Sequence, residues 1–157
     1  MSGKCLLVIR IRGGVNAPRR VEDTLKMLRV RINHAATIID DRPEYLGMLQ
    51  RVKDWVTWGE VRPETIEMLL EKRGKTEGGR PLEVQTLNEL GFSSIKDLAE
   101  AIADGRIQFW KLKGIKPFFR LHPPKKGFKR SIKRSYMDRG ELGYRGEAIN
   151  ELAERMC

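Results

Sequence analysis

The 157 residues carry 31 Lys or Arg against 21 Asp or Glu, a formal net charge of +10 with both histidines neutral, and 40% are hydrophobic. That length suits one domain, or one core with an appended lobe, and the apolar content can bury a core, which excludes a disordered basic tail. The apolar runs are too short to span a bilayer and the first residues show no signal-peptide pattern, so a cytoplasmic protein is expected.

In chain order, residues 4–12 predict a strand, with Cys5, Leu7, Ile9 and Ile11 on one face and Leu6, Val8, Arg10 and Arg12 on the other. Gly13 and Gly14 end it, and neither a dinucleotide fingerprint nor a phosphate-loop motif is present there. Pro18 suits a first helical turn, and Val21, Leu25 and Leu28 give a helical stripe over 18–29. A short strand follows at 34–39. Pro43 opens a second helix with Tyr45, Leu46, Leu49 and Val52 on its apolar face. Residues 55–61 are aromatic and β-branched and predict a third strand.

This β-α-β-α-β order points to an α+β fold with a small two-layer core, one sheet carrying helices on one face. Residues 1–61 form that core domain, and residues 62–157 form a C-terminal lobe. In the lobe, Pro63 starts a helix closed by Gly74, and 75–81 reads as a mobile loop. Helices near 83–90 and 95–103 are each followed by a glycine, Gly91 and Gly105, suited to a left-handed cap. Ser94 with Asp97 forms a capping-box variant. Residues 107–112 predict a strand returning to the sheet, and 146–156 a final helix.

The charge is concentrated. Residues 111–134 hold ten Lys or Arg and no Asp or Glu, so the other 133 residues balance at 21 basic and 21 acidic. Residues 1–53 add a local excess of 11 basic over 5 acidic. Such asymmetry points to a polyanionic partner. Prolines 117, 123 and 124 disfavour helix in the basic segment, so an extended arm is expected. Its candidate RNA contacts are Lys111, Lys113, Lys116, Arg120, His122, Lys125, Lys126, Lys129, Arg130, Lys133 and Arg134. Phe118, Phe119 and Phe128 would pack or stack, Phe118 and Phe119 more as core anchors than as base platforms. An arm of this kind would bury little and leave the heat stability of the core unchanged. A second candidate cluster, Arg10, Arg12, Arg19 and Arg20, surrounds the first strand-to-helix turn.

Catalytic chemistry finds no support. Asp40 and Asp41, ahead of Pro43, read as residues of a helix start capped at Asp41 or Arg42, and His34, His122, Cys5 and Cys157 are scattered without metal-ligand or nucleophile–base spacing. Cys5 is expected as a buried strand thiol and Cys157 at a frayed terminus. No metal, cofactor, small-molecule substrate, membrane contact or homo-oligomer is expected. An RNA-binding structural protein is the leading reading, ahead of a free RNA-binding factor and an enzyme acting on nucleic acid.

Several segments together resemble one family. TLKMLRV at 24–30 and YLGMLQRVKDWVTWGEV at 45–61 are similar to its first two helices and third strand. EKRGK at 71–75, GFSSIKDLAEAI at 91–102, FFRLHPPKKGFKRSIKR at 118–134 and INELAERMC at 149–157 resemble its later turn, lobe, arm and terminal helix. The chain thus resembles, over nearly its whole length, the large-subunit ribosomal protein number thirty family. The match is to the long archaeal branch, related to eukaryotic large-subunit ribosomal protein seven. The long basic N-terminal extension of the eukaryotic branch is missing, and the bacterial form would end near residue 61. The resemblance implies a ferredoxin-like sheet in the order 3-1-2 with an added lobe. It further implies a non-catalytic role binding and stabilising rRNA in the large ribosomal subunit, close to the small 5S rRNA and neighbouring ribosomal proteins.

Overall fold

The computed structural model describes residues 5–13, 17–112, 114–125, 127–128 and 131–157, with the side chains of Val84, Ser131 and Lys133 left out. The first half runs β1 (Cys5–Arg10), α1 (Arg19–Met27), β2 (Ala35–Asp40), α2 (Pro43–Arg51) and β3 (Val56–Glu60). The second half adds α3 (Pro63–Arg73), α4 (Val84–Glu89), α5 (Ile95–Ala103), β4 (Phe119–Arg120), β5 (Ser131–Ser135), β6 (Gly140–Tyr144) and α6 (Ala148–Met156). The α+β class stands.

The sheet is wider than expected. Its order is β4-β2-β1-β3-β6-β5: six strands where a small sheet of order 3-1-2 was expected, with β3-β1-β2 adjacent at the centre and β4, β6 and β5 added outside them. Strand β1 pairs antiparallel with β2 and with β3, β4 extends the β2 edge, and β6 runs parallel to β3. The cause lies in β1. Leu6 and Val8 pack with Val21, Leu25 and Leu49 under α1 and α2. Leu7 and Ile9 pack on the opposite face with Ile66, Leu98, Phe109 and Leu152. A strand apolar on both faces needs cover on both. The expected two layers are therefore three, and helices α3, α5 and α6 of the lobe form the third.

Three further expectations are corrected. Residues 107–112 do not return to the sheet; Phe109–Lys111 form a 3-10 turn, which buries Phe109 and leaves Lys111 exposed. The 75–81 loop is closed by a bridge between Lys75 and Pro81, with the Arg80 N–H donating to Thr76 Oγ1 at 3.1 Å. Cys157 is not frayed; it packs half-buried against the core. The glycine caps and the Ser94 cap form as read: Gly91 and Gly105 have φ of 88° and 75°, and Ser94 Oγ accepts from the Asp97 N–H at 3.2 Å.

Buried polar groups lock the lobe to β3. Asn150, 2% exposed, donates from Nδ2 to Glu60 O at 3.0 Å, while its Oδ1 accepts from the Arg62 N–H at 2.9 Å. Arg145 pairs with Glu141 at 2.8 Å, with side chains 5% and 4% exposed, and its Nε donates to Thr57 Oγ1 at 2.7 Å. The Tyr136 ring lies 5.0 Å from the Arg145 guanidinium. A buried pair of this kind is costly to break from one side, because the partner charge is left uncompensated.

The start of the basic segment belongs to the core. Phe119 is 1% exposed and stacks on Phe109 at 5.0 Å, and Ile115 is buried. Thr37 Oγ1 donates to Pro117 O at 2.8 Å, and the Leu121 N–H donates to His34 O at 3.1 Å. The expectation that the arm buries little therefore fails over 115–122.

Two outcomes follow. Phe119→Ala should cost about 3 kcal/mol of unfolding free energy in denaturant titration, against about zero for a solvated arm residue. Arg145→Ala should cost about 3 kcal/mol by the same measurement, and the apolar pair Glu141→Leu with Arg145→Met should recover most of it.

Candidate nucleic-acid interface

Register places several cations at one end of the sheet. Ile9 pairs with Ala36, Arg10 with Val56, and Ala35 with Arg120. The end of β1 thus lies beside the beginnings of β2 and β3 and the end of β4. Arg10, Arg12 and Arg120 come together there.

Arg10 is 3% exposed. Its Nε donates to Arg12 O at 2.8 Å, and Nη1 donates to Val30 O at 3.1 Å and Arg31 O at 2.6 Å. Burial lowers its pKa, and nearby Glu22 opposes that shift. The guanidinium is occupied with backbone carbonyls and fixes the turn after α1. Arg12 is half-buried, donates to Asp54 O at 3.1 Å and lies 5.7 Å from the Trp55 ring centroid. Arg19 and Arg20 are exposed in the first turn of α1.

Within the basic segment, Lys116 is half-buried, while Arg120, Lys125 and Arg134 are exposed. His122 is half-buried, with ring nitrogens 2.7 Å from Pro123 O and 2.8 Å from Cys157 O. The Lys125 N–H donates to Arg155 O at 3.0 Å, and Arg155 donates to Gly127 O. Lys133 lies on β5. Lys113, Lys126, Lys129 and Arg130 fall outside the described residues.

The sequence reading missed Lys26, Arg29 and Arg31. They line a groove of about 510 Å³ with Arg10, Lys116 and Arg120, six cations to the single carboxylate of Glu22. Helix α1 ends in a six-residue loop closure, with the Val30 N–H donating to Leu25 O at 2.9 Å and the Arg29 N–H to Lys26 O at 3.0 Å. Arg29 occupies the left-handed position, φ 66°, which the same chain gives to glycine after α4 and α5. The missing glycine after LKML was the available signal.

Asp40 accepts both the Arg42 N–H and its Nε, at 3.2 and 2.9 Å, as a turn-forming residue would. Arg42 also sits 5.5 Å from the Tyr45 ring and 5.4 Å from the Trp110 ring. Burial pushes the Cys5 thiol up to about 12, with Asp40 adding to the shift, so thiolate chemistry is disfavoured. Among the described residues no group of three His, Cys, Asp or Glu could hold a metal, and no helix is long and apolar enough to cross a membrane.

Comparison with known proteins decides what this basic fold is. A family profile described as "Ribosomal protein L30p/L7e" matches residues 6–56. The "Large ribosomal subunit protein uL30" of Methanopyrus kandleri is 48% identical over 93% of this chain and 99% of its own length. That of Staphylothermus marinus is 49% identical over 95% of this chain and 96% of its own length. The chain belongs to the ribosomal protein L30p/L7e family. Membership makes it a structural, non-enzymatic protein of the translation machinery. The profile spans β1 to the first residue of β3, and the archaeal relatives continue through the lobe and the basic segment.

His34 ties this interface together. At φ 67° it donates its N–H to Arg10 O at 2.8 Å, and its ring stacks on Phe128 at 6.4 Å. Burial lowers its pKa, and His122 adds to the shift. The folded protein therefore binds this proton less readily than the unfolded chain, and stability falls as pH drops below the ordinary histidine value near 6.5 through the lower folded one. Thermal unfolding should show the midpoint declining from pH 7 to 5, and His34→Asn, which tolerates the left-handed backbone, should flatten that decline.

Proposed function

We propose that this chain is a structural constituent of the large ribosomal subunit that binds and stabilises rRNA in the cytoplasm and catalyses nothing. The observation that carries the reading is the segregation of charge on a fold of this family. All of the net +10 equals the surplus of residues 111–134, and residues 117–121 of that segment are bonded to β2, at the end of the sheet that also bears Arg12 and Arg120. Phosphate contacts from such a surface position the protein, and shape and unstacked bases supply selectivity. Residues 1–61 would serve as the docking core and 62–157 as the lobe that holds the arm. The small 5S rRNA and adjoining ribosomal proteins are the proposed neighbours.

Arg12, Arg19, Arg20, Lys111, Lys116, Arg120, His122, Lys125 and Arg134 are the proposed contacts within the described residues, and Lys133 and Arg134 lie on β5 at the opposite edge of the sheet from Arg120. Lys113, Lys126, Lys129 and Arg130 complete the set from the sequence. Arg10 acts differently: it shapes the turn that presents its neighbours.

An integral subunit protein should remain with purified large subunits through a high-salt cushion, where a loosely bound factor is stripped. If about five arm cations each meet a phosphate, log K for rRNA should fall with log salt at a slope of about −4. Replacing Lys125, Lys126, Lys129 and Arg130 with Gln should flatten that slope by about 3. An unchanged slope would take the arm out of the interface.

A further inference from the structure

The groove between the end of α1, the 31–35 turn and the 116–120 stretch is lined by both cations and apolar side chains. Ile32, Ala35, Pro117 and Phe118 line it beside the cations, and Ile32 is 41% exposed although it is a large aliphatic residue. We propose that this pocket takes one unstacked nucleotide of the bound RNA, with its base against Phe118 and Ile32 and its phosphate against Arg29 and Arg31. The proposal rests on the rRNA-binding reading and adds a defined subsite to it.

Three observations support this occupant. First, about 510 Å³ is the size of a single small-molecule site. It is too small for a duplex, and a phosphate alone would not need apolar side chains in the lining. Second, base stacking on a half-buried aromatic beside cations is the ordinary chemistry of single-stranded RNA recognition.

The third is the backbone. Gly91 and Gly105 close α4 and α5 in the left-handed position, where glycine carries no side-chain penalty. Arg29 closes α1 in the same way and carries that penalty. Its side chain lines the pocket, and Arg10 pins the carbonyls of the next two residues. The helix closure sets the backbone at Arg29, and the pocket accounts for a charged residue standing where glycine would close the helix at lower cost.

The test uses the full chain and protein-free large-subunit rRNA from an archaeon, with affinity read across a salt series. Arg29→Gly should keep or raise the thermal midpoint, weaken binding about fivefold and reduce the salt slope by about one. Phe118→Leu should weaken binding about tenfold and leave the slope unchanged, because it removes stacking and no charge. A control adds the four nucleoside 5′-monophosphates at millimolar concentration, which should not displace the RNA. Wild-type affinity in both variants, alongside weakened binding when Lys125, Lys126, Lys129 and Arg130 are neutralised, would overturn the pocket and leave the rRNA reading standing. Displacement by free mononucleotides would overturn the assignment to an RNA nucleotide. No salt-dependent rRNA binding by the wild type would overturn both readings.

Discussion

Strand β1 is the constraint on which the rest depends. It is apolar on both faces, with Leu6 and Val8 to one side and Leu7 and Ile9 to the other. A central strand of this kind cannot leave either face in water. Covering one side with α1 and α2 still exposes about 25 cal/mol of unfavourable hydration for each Å² of the other. The lobe answers that demand. Its helices α3, α5 and α6 bury the second face, and its strands β4 and β6 lengthen the same sheet at both edges. The C-terminal half therefore completes the core that the first half begins.

The same strand determines where the charge goes. After Ile9, β1 ends in Arg10, and burying that guanidinium is tolerable only because three carbonyls accept from it. Those carbonyls belong to 12, 30 and 31, so the cost of one buried cation is offset by ordering two turns. Arg12, Arg29 and Arg31 are presented by those turns. One buried arginine thus organises several others at the end of the sheet.

Most of the first half was legible because its signals are local. The apolar run 5–9 and the proline at 43 each specify a nearby backbone geometry, as Pro63 and the glycines at 91 and 105 do in the second half. What escaped depends on distant partners. The β6 sequence GELGY has two glycines and one charge, and it is a strand only because β3 lies beside it. IQFWKL carries the strand-forming residues Ile, Phe and Trp, yet Phe109 is drawn into the core against Phe119, ten residues on, and the backbone tightens into a 3-10 turn. Of the candidate site, composition located the basic segment but could not separate buried Arg10 from exposed Arg120. Arg29 and Arg31 went unremarked, because the groove that distinguishes them is assembled from 31–35 and 116–120.

Tethering also changes how the basic segment can work. A free tail of similar charge would lose about 1–2 kcal/mol of backbone entropy for each residue that RNA orders. Over 115–125 this chain has already fixed much of that path, through Phe119 in the core, Leu121 on His34, His122 on Met156 and Lys125 on Arg155. Under the proposed rRNA-binding role, binding energy from those cations need not be spent on ordering them. Being fixed at both ends of that path also limits which phosphates can be reached, so a wrongly shaped RNA leaves cations without partners. Charge alone would bind any polyanion. The fold, through β4 and its pairing to β2, holds part of the charge in one arrangement, which is what the proposed selectivity requires.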